Sequence, residues 1–427
     1  MKSITRRHLL RGIVSAAAAP LVVSSAVLGK DGAVAPSSRI TMGAIGMGGQ
    51  GFGGDLEVFL ASPDARVLAV CDVDASRRER AAKRVQAAYK QERPADAYND
   101  FREVLSRDDI DAVLIATPDH WHAVISIQAA QAGKHMYCEK PISLTVAEGR
   151  RVTEVMRQAG VVYQSGTQRR SVGHFRQCCE LVRGGRIGKL RLIRECLGAG
   201  PSIPPQPQQP VPGGFDYDLW LGPAPYAPYT PARCHGSFRW VFDYSGGKIT
   251  DQGAHFLDIA QWANDTEHTG PTRIEGHATF PREGLYDTPM QYKVVCTYEN
   301  GVKMEVIHDL IDNDWAVRFE GDDGWLLVAR SRLYASRPSL LSPLRPDEVH
   351  LYVSRNHQQN FLDSVRTGRP NASPPEIMHR STTVCHLCNI CLRLGRPLRW
   401  DPAAERFVND PEADRMLART MRAPWRL

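Results

Sequence analysis

Asp251 and His255 lie four residues apart in the run Gly246-Gly247-Lys248-Ile249-Thr250-Asp251-Gln252-Gly253-Ala254-His255-Phe256-Leu257-Asp258. On a continuous helix that spacing puts a carboxylate and an imidazole on one face, close enough to touch, with Asp258 and Trp262 further along it. An imidazole oriented by a carboxylate is a usable general base near neutral pH. A solvated polar helix face would show the same spacing, so the pair needs a second signal. Gly46, Gly48 and Gly51 supply it, spaced G-x-G-x-x-G directly after the apolar run Ile40 to Ile45. In such a loop the first glycine makes a tight turn and the second lets the backbone approach a pyrophosphate. The third lets the next helix pack closely on the strand, with its N-terminal N–H groups facing the anion. Met47 and Gly49 complete the loop. A further apolar run, Arg66 to Cys71, ends in Asp72, 21 residues beyond Gly51, where a carboxylate can accept both ribose hydroxyls. Loop and acid together imply a bound nicotinamide dinucleotide. Asp72 would also repel a 2′-phosphate, which favours NAD over NADP; Arg77 and Arg78, close behind it, pull the other way.

Positioning these residues requires alternating strands and helices. From Arg39 the chain predicts strands at Ile40–Ile45, Arg66–Cys71, Ala112–Ala116, His135–Tyr137 and Val161–Ser165, with helices between them at Ala75–Gln91 and Val124–Ala132. That alternation predicts a parallel sheet with crossover helices. Thr145-Val146-Ala147-Glu148 reads as a capping box opening a helix to Ala159. Two segments fall at carboxyl ends of strands, where doubly wound sheets bind ligands. They are Thr117-Pro118-Asp119-His120-Trp121-His122 and Glu139-Lys140-Pro141. After Gly166 a helix is expected at His174–Arg183, and Pro201–Pro212 reads as a long surface loop. Val294–Glu299 and Val302–Ile307 meet at Asn300-Gly301, and Ala316–Glu320 and Trp325–Ala329 flank Asp322-Asp323-Gly324. Both read as hairpins of an antiparallel sheet, with helices at Asp251–Trp262 and His357–Thr367. The expected organisation is a leader over residues 1–38, a Rossmann domain over 39–166 and an α/β domain with an open, largely antiparallel sheet over 167–427.

The N-terminus reads as an address. Thr5-Arg6-Arg7-His8-Leu9-Leu10 places paired arginines ahead of the alanine-rich apolar run Ile13 to Leu28, the pattern of a twin-arginine export signal. The expected location is therefore periplasmic, after export in the folded state. Lys2, Arg6, Arg7, Arg11 and Lys30 against Asp31 account for +4 of the formal charge of +6. A remainder so close to neutral gives no reason to invoke nucleic acid. No later stretch approaches the length of a membrane span.

The glycine loop, Asp72, Glu139-Lys140-Pro141 and Asp251…His255, in that order, resemble the glucose–fructose oxidoreductase/inositol dehydrogenase (Gfo/Idh/MocA) family, and the resemblance runs from Arg39 to the end. It implies that Lys140, Asp251 and His255 are the catalytic set. Thr117, Pro118 and His122 would form the cofactor-side turn, with His120 and Glu139 beside it, and Gln168 would approach the nicotinamide ribose. For a sugar carbinol, His255 would be the base, Asp251 its orienter and Lys140 the cation stabilising a developing alkoxide. The resemblance further implies a small carbohydrate substrate and a homo-oligomer. Three classes fit: a net dehydrogenase, a redox-neutral carbohydrate enzyme on bound NAD, and a non-catalytic sugar-binding protein. The intact triad argues against the last. Tyr244 and His235, close in sequence to the catalytic helix, are candidates for removing a carbon-bound proton.

Two signals point elsewhere and are discounted. His120-x-His122 shows no third metal ligand in view. Cys385-x-x-Cys388-x-x-Cys391 lies in an apolar helical run, Thr382 to Leu394, where the spacing also suits small hydrophobes on a core face. Ten cysteines could pair in an exported chain, but a protein folded in a reducing cytoplasm need not depend on disulfides.

Overall fold

The computed structural model describes residues 38–311 and 314–427; the segment read from the sequence as an export signal lies outside the described residues. Six parallel strands form the first sheet: β1 (Ile40–Ile45), β2 (Ala65–Cys71), β3 (Asp96–Tyr98), β4 (Ala112–Ile115), β5 (His135–Cys138) and β6 (Tyr163–Ser165), in the order β3-β2-β1-β4-β5-β6. The order reverses at β1. The crevice between the loops after β1 and β4 is therefore the topological switch point of a doubly wound sheet.

The helices around this sheet are α1 (Glu57–Ala61), entered through a π-helical turn at Gly51–Leu56, then α2 (Ala75–Tyr89), α3 (Phe101–Leu105), α4 (Asp119–Gln131) and α5 (Val146–Ala159). Their ends follow local chemistry. Asp74 caps α2 by accepting from the Ser76 N–H. Thr145 caps α5 by accepting from Glu148 N, while the Glu148 carboxylate takes Leu144 N–H at 2.8 Å, one residue before the cap. Gly160 ends α5 in the left-handed region. The sequence places the start of the fourth helix at Val124, whereas α4 begins five residues earlier at Asp119. Asp119 to Ile127 are buried without interruption, so no amphipathic period marks that first turn. His120 and His122 thus sit on a helix, not a loop.

The second sheet is mixed. Its strands are β7 (Leu190–Cys196), β8 (Arg273–Thr279), β9 (Gln291–Thr297), β10 (Lys303–Ile307), β11 (Ala316–Gly321), β12 (Gly324–Ala329), β13 (Leu333–Ala335), β14 (Leu398–Asp401) and β15 (Arg406–Phe407). The order is β13-β12-β11-β7-β10-β9-β8-β14-β15, and only the β7–β10 pair is parallel. Both hairpins anticipated from the turn residues are present, with Gly301 at φ +83° and Gly321 paired with Gly324. The helices of this half are α6 (Gly173–Arg183), α7 (Tyr217–Leu221), α8 (Lys248–Asp251), α9 (Gly253–Ala263), α10 (His357–Thr367), α11 (Pro375–Leu394) and α12 (Pro411–Asp414). Phe175 of α6, Phe256 of α9 and Val384 of α11 share one core with Val294, Val306 and Phe319 of the sheet. Burying each such side chain contributes roughly 1.5–3 kcal/mol. The chain also returns to its first sheet: Phe361 and Leu362 of α10 pack in a core with Phe59 and Tyr137, and Met378 of α11 joins Val152 and Tyr163.

Among the described residues no helix is long and apolar enough to cross a membrane. All ten cysteines are buried free thiols. Cys385, Cys388 and Cys391 lie on the core face of α11, with Cys388 Sγ 3.7 Å from Cys296 Sγ.

Candidate active site

One cavity of about 550 Å³ opens along the switch-point crevice. Gly46, Gly48, Gly49 and Asp72 line one end; Thr117, Pro118 and His122 line its middle, and Glu139, Lys140, Gln168, Asp251 and His255 the other. Gly46 has φ +86°, and a Cβ there would stand 2.7 Å from the Ala116 carbonyl. Gly51 does not face the cavity: a Cβ on it would meet the Gly46 carbonyl oxygen at 2.0 Å, so its absence lets the helical turn sit on β1. The Met47 side chain turns into the core, and its N–H donates to Asp72 Oδ2 at 2.7 Å. Met47 therefore holds the carboxylate and presents no side chain to a ligand. Asp72 Oδ1 accepts Asp74 N–H at 2.9 Å; burial raises its pKa, against these two backbone bonds and Arg77. The crevice suits a dinucleotide, because its glycines leave room for backbone approach and Thr117 Oγ1 is buried without a partner among the described residues.

His122 and His120 have separate roles. His122 Nδ1 lies 2.7 Å from the Pro141 carbonyl and Nε2 2.9 Å from that of Thr117. It pins the two loops together, with both ring nitrogens engaged. His120, expected beside the cofactor, does not line the cavity. Its Nε2 meets the Trp220 carbonyl at 3.0 Å, its ring packs 5.1 Å from Tyr244, and burial lowers its pKa to about 4. Residues two apart on a helix point to opposite sides, so when His122 looks toward the crevice His120 enters the aromatic cluster around Trp220. Among the described residues no group of three or more His, Cys, Asp or Glu could hold a metal ion.

The catalytic set converges, with one correction. Lys140 Nζ donates to Asp251 Oδ1 at 2.8 Å and to the Asp251 carbonyl at 3.1 Å. Arg239 Nε donates to the same Oδ1 at 3.0 Å. Burial alone would raise the Asp251 pKa, but Lys140 and Arg239 outweigh it and hold the carboxyl well below its usual range. Asp251 is therefore the anchor of Lys140, not the orienter of His255. The helix expected over Asp251–Trp262 breaks for the same reason. With the Asp251 carbonyl turned to Lys140, His255 N–H bonds Gln252 O at 3.0 Å, and α8 and α9 part at Gln252. His255 Nδ1 is buried without a hydrogen-bond partner among the described residues.

Burial, then the cations Lys140 and Arg169, push the His255 pKa well below its ordinary value, with Asp251 opposing. A depressed value keeps the imidazole unprotonated, and so able to accept a proton, to lower pH. The acid limb of kcat/KM is expected below about pH 6.5, the ordinary histidine value. A pH–rate profile with that limb at or above the ordinary value would contradict the assignment.

Glu139 is buried and accepts from Gln168 Nε2 at 2.9 Å. Asp55, which the sequence reading missed, lies fully buried beside it. Burial and then the Glu139 charge push the Asp55 carboxyl upward; burial raises the Glu139 carboxyl too, with Lys140 and the Gln168 hydrogen bond opposing. Arg239, Trp315 and Arg330 also line the cavity and were missed; they come from segments with no local motif. Arg169 could have been suspected from its place beside Gln168. Neither proton-abstraction candidate stands by His255. Tyr244 is fully buried, with its hydroxyl on Arg233 Nη1 at 3.2 Å. His235 lies 4.0 Å from Asp74, at the Asp72 end.

Residues 40–167 match the oxidoreductase family's NAD-binding Rossmann fold, and residues 204–427 its C-terminal alpha/beta domain. The chain belongs to the Gfo/Idh/MocA oxidoreductase family. It is an oxidoreductase, and its cofactor is NAD. An uncharacterised oxidoreductase, YrbE, of Bacillus subtilis is 26% identical over 311 residues, covering 71% of this chain and 78% of that one. The alpha-N-acetylgalactosaminidase of Shewanella oneidensis is 37% identical over 168 residues, but these cover only 35% of this chain and 36% of that one. Among solved structures, the aldose-aldose oxidoreductase of Caulobacter crescentus aligns with TM-score 0.64 at 17% identity, over 84% of this chain and 99% of that one. The WlbA dehydrogenase of Bordetella pertussis, solved with NADH and UDP-GlcNAcA, aligns with TM-score 0.63 at 16% identity, over 85% and 99%. At such identities the likeness is one of fold.

Proposed function

We propose that this is an exported carbohydrate oxidoreductase that retains its NAD and turns over without net redox change. The observation that carries the reading is that Lys140 and His255 face the same cavity into which the glycine loop and Asp72 open. Gly46, Gly48, Gly49 and Asp72 would hold the pyrophosphate and ribose, with Thr117 and Gln168 toward the nicotinamide. The bound cofactor supplies a reversible hydride acceptor. The protein's own residues manage protons and charge. The His255 imidazole takes the hydroxyl proton of a sugar carbinol. Lys140 Nζ, with two of its hydrogens directed at Asp251, keeps the third for the developing alkoxide.

Two things support the redox-neutral form. Export on the twin-arginine pattern would put the enzyme where no pool of free NAD is expected, and a relative matched over part of its length is named as a glycosidase. A transient ketone acidifies the neighbouring C–H. Loss of that proton with departure of a β-alkoxy group gives an enone; water then adds at the β carbon and the carbonyl returns to alcohol. Stopping earlier gives a lyase or an epimerase.

The purified protein is expected to release about one equivalent of NAD(H) on acid extraction. In D2O without added NAD, candidate glycosides should gain deuterium next to the oxidised carbon, read by NMR, with no NADH accumulating. Ketosugar release that consumes fresh NAD at each turnover would instead establish a net dehydrogenase, as one relative named myo-inositol 2-dehydrogenase would suggest.

A further inference from the structure

The carboxylates and cations along the cavity mostly satisfy one another. Asp251 holds Lys140 and Arg239, Asp119 accepts from Ser245, and Arg77 lies 3.5 Å from Asp74. Arg169 and Arg330 stand outside this balance. Both line the cavity, and neither makes a hydrogen bond through its guanidinium, or an ion pair, among the described residues. Arg169 lies with its guanidinium carbon 4.0 Å above the Phe256 ring, and its Nε is buried without a partner. Phe256 follows His255 in the chain, so this cation belongs to the substrate end. Burial, and then the charge of Arg330, lower the Arg169 pKa to about 10; Asp314 and the buried Glu195 stand in its field and oppose the shift. Arg169, partly withdrawn from water, thus carries its charge against the cavity with no carboxylate bonded to it among the described residues, and the exposed Arg330 adds a second positive charge in its field. Trp315 lines the cavity too, and aromatic rings serve as platforms for the C–H face of a sugar.

We infer that the substrate end of the cavity is an anion subsite in which Arg169 and Arg330 grip an acidic substituent of the sugar against Trp315. The inference rests on the carbohydrate reading above and narrows it to acidic sugars. A planar carboxylate matches the guanidinium fork in two parallel hydrogen bonds; a sulfate or phosphate ester offers the same oxygen chemistry on a tetrahedral centre. Arg330 follows β12 and is exposed, whereas Arg169 is half-buried, and both line the cavity, so each contributes to the grip on the anion.

The test uses the NAD-loaded enzyme and calorimetric titration. Methyl glycosides of glucuronate and galacturonate are compared with those of glucose and galactose, and with their 6-sulfates and 6-phosphates. Acidic sugars are expected to bind about 10- to 100-fold tighter than their neutral counterparts, the range for a hydrogen bond to a charged group. Uronates leading the series would identify a carboxylate, and esters leading it a tetrahedral anion. Arg330→Ala should abolish the preference. Arg169→Lys keeps the charge but removes the fork, so it should weaken uronate binding more than neutral-sugar binding. Equal affinity for acidic and neutral sugars, or a preference untouched in Arg330→Ala, overturns the subsite while leaving the redox-neutral reading intact. Failure of every carbohydrate to bind removes both.

Discussion

Replacing Lys140 with methionine is expected to lower single-turnover reduction of bound NAD by roughly 10²–10³-fold, the range for removing one donor from an oxyanion-stabilising site. Replacing His255 with alanine should cost roughly 10²–10⁴-fold, as loss of a general base does. Neither change touches the glycine loop or Asp72, so NAD content after purification should be unchanged. Asp72→Ala should do the reverse, weakening NAD binding first, because its carboxylate also holds the Met47 N–H. The structure adds a sharper expectation. Since Asp251 grips Lys140 and Arg239, Asp251→Asn should act through Lys140. Its effect should be largely lost in a Lys140→Met background but retained in a His255→Ala background. Were Asp251 the orienter of His255, that pattern would be exchanged. Stopped-flow NADH absorbance on the five variants separates the two outcomes.

The second large effect is on stability. Arg170 and Asp258 are 3% and 1% exposed and form two parallel bonds of 2.6 and 2.8 Å. Glu267 takes a third guanidinium N–H at 2.7 Å, and Ser381 Oγ donates to Asp258 at 2.8 Å. This network ties the exit of β6 to α9 and α11, the helices behind His255. Arg170→Ala or Asp258→Ala leaves a charge buried without its partner, which costs about 3–5 kcal/mol. Arg170→Met combined with Asp258→Leu removes both charges and should recover most of that loss. Urea unfolding measures each. A single variant within about 0.5 kcal/mol of the parent, the range of an ordinary surface change, would show that the pair carries no such burden.

Chemistry that is local to the chain was legible without the structure. The glycine loop could be recognised because the backbone at Gly46 and the contact at Gly51 tolerate no Cβ, a constraint written into residue type and spacing. The Thr145 cap and the Asn300-Gly301 hairpin could be recognised for the same reason. Three features could not. The helix through Asp251 breaks because a lysine 111 residues earlier takes its carbonyl. His120 leaves the crevice because α4 is buried all round and starts earlier than any periodicity shows. Asp258, which continues the His255 face in the sequence, is instead a buried partner of Arg170. Residue type and spacing determined which cofactor the chain holds and which side chains could react. Tertiary structure decided their pairing, because an ion pair forms between whichever charges packing brings within about 4 Å, and sequence separation has no bearing on that distance.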